Sequence, residues 1–428
     1  MEVQVGFYKI LRSGEPISNS LTKGAPAILA ATFVAGLVGY LLTAMVFREV
    51  GPVQYVWFAA YWSTLHLVIG SLSGVEQEFA RATKKTNTST SKTKSPSRIF
   101  AIGFAVIVMF IAITTSGIWA VPVLGDQGPL LVFPFAVGTA AFVFVATIGG
   151  TLYGLSRWNL LALMIALDGI IRVSLLLIAL LITDDLVVLA WCVSIAFPLT
   201  VVVLWPLLQK AISGQTEVDV SLGTLTWNVS RTVTASASSA LLVTGFPILI
   251  VLASPGIDLV FIGQLILCLT LLRAPLIVVA MSMQSFLVVK FRDQTSSSMK
   301  FMTAINLGIV IVTAVITWLA ASFGTAVLQI LSDEKPLITG EILANISISA
   351  GLFAMMIVLA TPILARGYHF VYSLGWLLSA LTTVFLMLGS GEFVDRVISA
   401  MILGPIVGLV TFLTTMLFTR KKTAAPEL

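Results

Sequence analysis

Asp168 and Arg172 lie four residues apart inside the apolar run WNLLALMIALDGIIRVSLLLIAL, so on a helix they share one face. At about 1.5 Å per residue from Trp158, Asp168 is placed about 15 Å along that helix and Arg172 about 21 Å. Both then fall near the middle of a hydrocarbon core about 30 Å thick. Arg273, in LTLLRAPLIVV, reaches a similar depth, and His66 lies roughly 20 Å into another apolar run. An ionisable group at that depth costs a few kcal/mol or more and is a functional candidate by default. Two chemistries are open for the pair. Asp168 and Arg172 neutralise each other, although a buried pair rarely recovers its desolvation cost alone. Or Arg172 is presented to a water-filled cavity with Arg273 facing it. Two arginines with few acids select an anionic cargo, because the planar guanidinium donates two hydrogen bonds at once to a phosphate.

Other residues are weaker candidates. His66 titrates near physiological pH and could couple transport to protons; Asp168 could carry a coupling ion in the same way. Each also reads as a side chain bonded to a neighbour. Gln264 and Gln284 share a segment with Arg273 and could bond sugar hydroxyls, or simply join helices. Arg231, with Trp227 and Asn228, reads as a head-group contact or as an interfacial anchor. Nothing points to catalysis or a cofactor. Cys192 and Cys268 sit singly in apolar runs, the two histidines lie far apart, and HExxH, CxxC and GxxxxGK[ST] are all missing.

The elements that would position these groups follow from composition. Hydrophobic residues make up 58% of the 428, charged residues only 10%, and the mean hydropathy is +1.05. A soluble domain carries roughly 25% charged residues, so lipid is the solvent this chain fits. The net charge of +5 then reports topology rather than nucleic-acid binding. Runs of about 20 apolar residues place spans at 25–47, 53–75, 99–121, 129–153, 158–183, 186–208, 236–253, 259–285, 302–323, 346–366, 369–389 and 396–418. About two dozen mostly polar residues precede the first run, which is unlike a cleavable signal.

With the N-terminus placed inside, Arg48, Lys335 and Arg396 are the only basic residues of the 24 on outer segments, and Arg172 and Arg273 lie within spans. The rest fall inside, as the positive-inside rule requires, and both termini are expected in the cytoplasm. Trp57 and Trp119 fall near the outer interface, Trp158 and Trp205 near the inner one. Residues 83–98, TKKTNTSTSKTKSPSR, read as a disordered basic cytosolic loop. The expected organisation is an N-terminal six-helix lobe over 1–208, a cytoplasmic linker at 209–235 and a C-terminal six-helix lobe over 236–428. VFREVGPVQYVWF (46–58) and VLASPGIDLVFIG (251–263) share Val followed by Gly five residues later. An even number of helices per half makes the halves parallel repeats. Pro134, Pro198, Pro247 and Pro275 inside spans supply bending points.

The stretch VFREVGPVQYVWFAAYW resembles the junction of the first two helices in the Wzx-type polysaccharide flippases of the MOP exporter superfamily. Their Arg-x-Leu-Gly-Pro-x-x-Tyr-Gly pattern is met at Arg48, Gly51, Pro52 and Tyr55, with Val50 in place of Leu and Val56 in place of the last Gly. GGTLYGLSRWNLLALMIALDGIIRVSLLL is similar to their fourth-to-fifth helix region. Arg273 and Pro275 match an Arg-x-Pro frequent in their eighth helix. The resemblance implies an all-α integral membrane protein of about 12 helices in two lobes around a central cavity. It also implies a polyprenyl-diphosphate-linked saccharide as cargo, moved from the inner to the outer leaflet of the cell membrane. Expected partners are that lipid-linked saccharide, the bilayer, and a polysaccharide polymerase or glycosyltransferases. Two rivals stay open: a multidrug or small-molecule cation antiporter of the same superfamily, which needs cavity carboxylates, and a membrane enzyme acting on lipid-linked sugars, which needs large outer loops.

Overall fold

The computed structural model describes residues 19–85, 96–212, 216–218, 221–293, 297–332 and 334–424. Helices dominate: α1 (Asn19–Ala82), α2 (Pro96–Thr114), α3 (Ser116–Leu124), α4 (Gly128–Gly154), α5 (Trp158–Leu180), α6 (Leu186–Ile212), α7 (Leu222–Thr244), α8 (Phe246–Ala253), α9 (Leu259–Asp293), α10 (Ser297–Leu331), α11 (Gly340–Ala365), α12 (His369–Met387) and α13 (Phe393–Ala424). Nine of the described helical stretches are long and apolar enough to cross a membrane, ten if the bent pair α7–α8 is one span. The two arms of α1 cover the first two expected spans, 25–47 and 53–75, and are not counted among those nine. This is a multi-pass membrane protein whose described residues are helical apart from turns and one short strand pair.

Helix ends carry their own explanation. Asp185 Oδ1 accepts from Val187 N at 2.7 Å and Asp258 Oδ1 from Val260 N at 3.0 Å. The Ser221 and Thr339 side chains accept from Thr224 N and Ile342 N. These caps satisfy first-turn N–H groups that have no intrahelical partner. Inside α1, Gly51 breaks the helix with φ 77° and ψ 167°. Gly256, its counterpart in the proposed repeat, also has a positive φ of 80°. Side chains other than glycine rarely adopt that region, so the faint sequence repeat coincides with a shared backbone requirement.

Several expectations change. The segment 209–235 is not simply a linker: it is helical from Leu222, and α7 runs through the expected start of the seventh span to Thr244. There the chain bends by 72° into α8. Gly245 stands at the break and Pro247 is the second residue of α8, a place where proline's missing N–H costs nothing. Part of the expected disordered loop is ordered, since Thr83–Lys85 pairs antiparallel with Thr216–Val218, Lys84 opposite Glu217. The remainder of that loop, 86–95, lies outside the described residues. Trp158 is buried against Tyr153, ring centroids 5.7 Å apart, and serves packing rather than the interface.

The chain divides into two compact units, Glu2–Val50 with Trp57–Ile248, and Gly51–Val56 with Leu249–Leu428. The cut thus falls near residue 248, not at the expected 209–235, because α7 packs on α1. A Cβ at Gly74 would lie 2.5 Å from Val233 N, and one at Gly70 would lie 2.8 Å from the Ala240 Cβ, so glycine is what allows this approach. Leu225 and Val229 of α7 share a core with Leu72, Val75 and Phe79. Ser63 Oγ donates to Thr244 O, and Thr232 Oγ1 donates to Glu78 Oε1 at 2.9 Å. In the other unit α9 packs on α11, α10 on α11, and α12 on α13. Gly51–Val56 belongs here because Gly263 of α9 presses on the Pro52 carbonyl and Tyr55 is buried with its hydroxyl bonded to Thr270.

Arg396, expected on an outer segment, has a structural task in that unit. Its guanidinium donates to Ala253 O at 2.9 Å, Met387 O at 3.1 Å and Gly389 O at 3.3 Å. These include the last residues of α8 and α12, whose C-terminal carbonyls otherwise lack partners. Arg396→Ala is expected to destabilise the protein by about 1–3 kcal/mol. A melting temperature in detergent unchanged from the parent would refute that role.

Candidate functional site

Arg172 is built up from its own helix. Four residues before it on α5, Asp168 accepts a hydrogen bond through Oδ2 from Arg172 Nη2 at 2.6 Å. The side chains are 12% and 21% exposed, Arg172 and Asp168 respectively, so the pair is largely withdrawn from solvent. The neutralising reading of this pair is therefore realised in part. It is incomplete: Asp168 Oδ1 and Arg172 Nε are buried with no hydrogen-bond partner among the described residues. Burial of a polar atom without such a partner is costly, so each would be stabilised by one.

Two other elements reach the same guanidinium. Its Cζ lies 4.5 Å from the ring centroid of Phe197 on α6 and 5.9 Å from that of Trp62 on the second arm of α1. Trp62 stacks on His66, centroids 4.5 Å apart and planes 17° apart. His66 Nδ1 bonds to the Trp62 carbonyl at 2.8 Å, and the imidazole is within electrostatic range of Arg172. His66, picked singly from the sequence, thus joins the Asp168–Arg172 pair in one cluster. Trp62 and Phe197 were missed, and only their aromatic character beside apolar stretches hinted at them.

Arg273 of α9 lies in the other unit. It is 2% exposed, with its Cζ 4.7 Å above the Phe353 ring of α11. Pro275 follows inside the same helix. The glutamines resolve toward helix joining. Gln264, fully buried, donates through Nε2 to Lys335 O at 3.0 Å and accepts from Leu337 N at 2.8 Å. Its amide pins the connection between α10 and α11, which matches the helix-joining one of its two sequence readings. Gln284 Nε2 donates to the Tyr372 hydroxyl at 3.4 Å, joining α9 to α12. Arg231 is exposed on α7 beside an exposed Trp227, the setting of an interfacial residue. Arg48 is exposed, whereas Gly51, Pro52 and Tyr55 are backbone and packing residues of the second unit. Among the described residues no group of His, Cys, Asp and Glu could hold a metal ion.

Solved structures share this architecture. The inward closed conformation of the lipid II flippase MurJ aligns with TM-score 0.69 at 12% identity, covering 94% of this chain and 93% of that one. The inward-facing conformation of a multidrug resistance MATE family transporter of the MOP superfamily aligns with TM-score 0.66 at 14% identity, covering 94% and 100%. The fold is that of the MOP-superfamily transporters. A third MOP member, from Pyrococcus furiosus and described as having a binding pocket of reverse polarity that suggests a different function, aligns at TM-score 0.58 with 13% identity over 92% of this chain and 98% of that one. No family model matches the chain. Among curated proteins, the uncharacterized protein Rv1510 of Mycobacterium tuberculosis is 27% identical over 385 residues, 89% of this chain and 88% of that protein. The uncharacterized protein Mb3654 of Mycobacterium bovis is 26% identical over 384 residues, with the same coverage of both.

Gln264→Leu strands the two backbone groups that its amide engages and is expected to lower stability by about 1–3 kcal/mol. A melting temperature in detergent equal to the parent's would refute that structural role.

Proposed function

We propose that this chain is an alternating-access carrier that moves a polyprenyl-diphosphate-linked saccharide from the inner to the outer leaflet of the cell membrane for surface polysaccharide assembly. The observation that carries the reading is the same local arrangement in each unit: a membrane-depth arginine, Arg172 or Arg273, withdrawn from solvent against a phenylalanine ring. A guanidinium retained at such depth is best repaid by a doubly charged anion that meets its planar donors. The saccharide travels in a polar passage and the polyprenyl tail stays in lipid. The two halves act as parallel six-helix lobes with both termini in the cytoplasm, and the polymerase or glycosyltransferases that supply or consume the cargo are its partners. No covalent chemistry is required of any residue.

Asp168 and the cargo diphosphate are rivals for Arg172, so the protonation state of Asp168 is a natural point for coupling to an ion gradient, with His66 beside it. The likeness to a multidrug MATE structure favours a second reading, a cation antiporter. Such a carrier needs carboxylates at its cargo site, and the spans at 25–47, 53–75, 236–253 and 259–285 contain none, which is why the anionic cargo is preferred.

The test is the sidedness of lipid-linked saccharides in cells depleted of the protein, probed in spheroplasts with an impermeant sugar-modifying enzyme. Intermediates are expected to collect in a protected, cytoplasm-facing pool. Parental protein should restore exposure, and Arg172→Ala or Arg273→Ala should reduce it at least tenfold, the scale of a lost charged hydrogen bond. Normal exposure in depleted cells would remove the flippase reading and leave small-molecule export.

A further inference from the structure

The geometry points to Trp62 and Phe197 as positioning residues that fix the Arg172 guanidinium so that its Nε–H faces the cargo anion. This rests on the anionic-cargo reading above. Arginine has a long, flexible side chain, and a donor that swings freely loses rotamer entropy each time it binds. Here three contacts from three elements remove that freedom in advance. Asp168 holds one terminal nitrogen at 2.6 Å. Phe197 stands 4.5 Å from the guanidinium carbon and Trp62 stands 5.9 Å from it. A planar cation prefers the face of an aromatic ring over a disordered apolar wall.

Trp62 is itself held. His66, one helical turn later, stacks on it at 4.5 Å and bonds to its carbonyl at 2.8 Å. A second, independent observation shows what the arrangement leaves over. Arg172 Nε is buried without a hydrogen-bond partner among the described residues. With the guanidinium held against two rings and one terminal nitrogen engaged by Asp168, that N–H has little freedom to re-aim. A free donor so held suits an oxygen of a phosphate or diphosphate group. Neither aromatic residue has to touch the cargo; both act through Arg172.

A π-face and mere bulk can be told apart. The full-length protein in lipid nanodiscs is titrated with farnesyl diphosphate, a soluble short-chain polyprenyl diphosphate, by microscale thermophoresis. Trp62→Leu keeps an apolar side chain and removes the ring; Trp62→Phe keeps a ring. Each is measured alone and on an Arg172→Ala background, together with its melting temperature, and Phe197→Leu is read in the same way in case Trp62→Leu does not fold. Trp62→Leu is expected to weaken the probe about threefold to thirtyfold, the range of a partly buried cation–π contact. On the Arg172→Ala background it should cause no further weakening, and Trp62→Phe should retain most of the parental affinity. Parental affinity in both leucine variants, or equal weakening with and without Arg172, would overturn the positioning role while leaving the anionic-cargo reading in place. An Arg172→Ala protein that binds the probe as tightly as the parent would overturn both.

Discussion

In hydrocarbon there is no water to take up a stranded N–H or C=O, and the architecture of this chain is a set of answers to that constraint. Helices satisfy their own backbone along their length, so the difficulty gathers at ends and breaks. Several of these ends and breaks have a dedicated partner or turn residue. Arg396 gathers carbonyls from the ends of α8 and α12. Gln264 takes both a donor and an acceptor from the connection between α10 and α11. Gly51 and Gly256 turn the chain where no other residue would turn as cheaply. Polar side chains that look out of place in lipid are thus mostly backbone partners.

Arg172 and Arg273 share a different feature. Each rests on a ring from a neighbouring helix, Phe197 or Phe353, which offers a cation a favourable surface without neutralising it. Asp168 neutralises Arg172 only through one oxygen. A scaffold that wanted stability alone would replace such groups with apolar ones of similar volume. In the function proposed above, they are kept ready for a charged visitor.

Much of this was legible in the sequence because a spanning run is a long, strong pattern and the basic residues punctuate it. The helices around 129–153, 158–183 and 186–208 emerge close to their expected bounds. Even the weak repeat carried information, since both of its glycines take a positive φ. The site was legible residue by residue but not as an assembly. His66 and Arg172 stand out individually, whereas their meeting through Trp62 depends on how α1 packs near α5 and α6, and amphipathicity is a poor guide when lipid and protein interior are equally apolar. The first half of α7 was hidden for another reason. LGTLTWNVSRTVTASASSALLVT is too rich in Ser and Thr to resemble a span. Thr226, Ser230, Thr232 and Thr234 each donate to the carbonyl four residues back, which conceals their polarity from the surroundings.

That hidden helix bears on how the protein is made. The eight residues of α8 reach only about 12 Å, less than half of the hydrocarbon thickness, and α7 qualifies as membrane-crossing only in company with α8. Neither piece suits a translocation channel that releases segments to lipid one at a time on the strength of their own apolarity. The seam of Gly70 and Gly74 against Ala240 and Val233 offers α7 a prepared berth on an earlier helix. Insertion of this stretch is then a step of assembly, in which α7 enters the bilayer by docking on the second arm of α1 within the same unit.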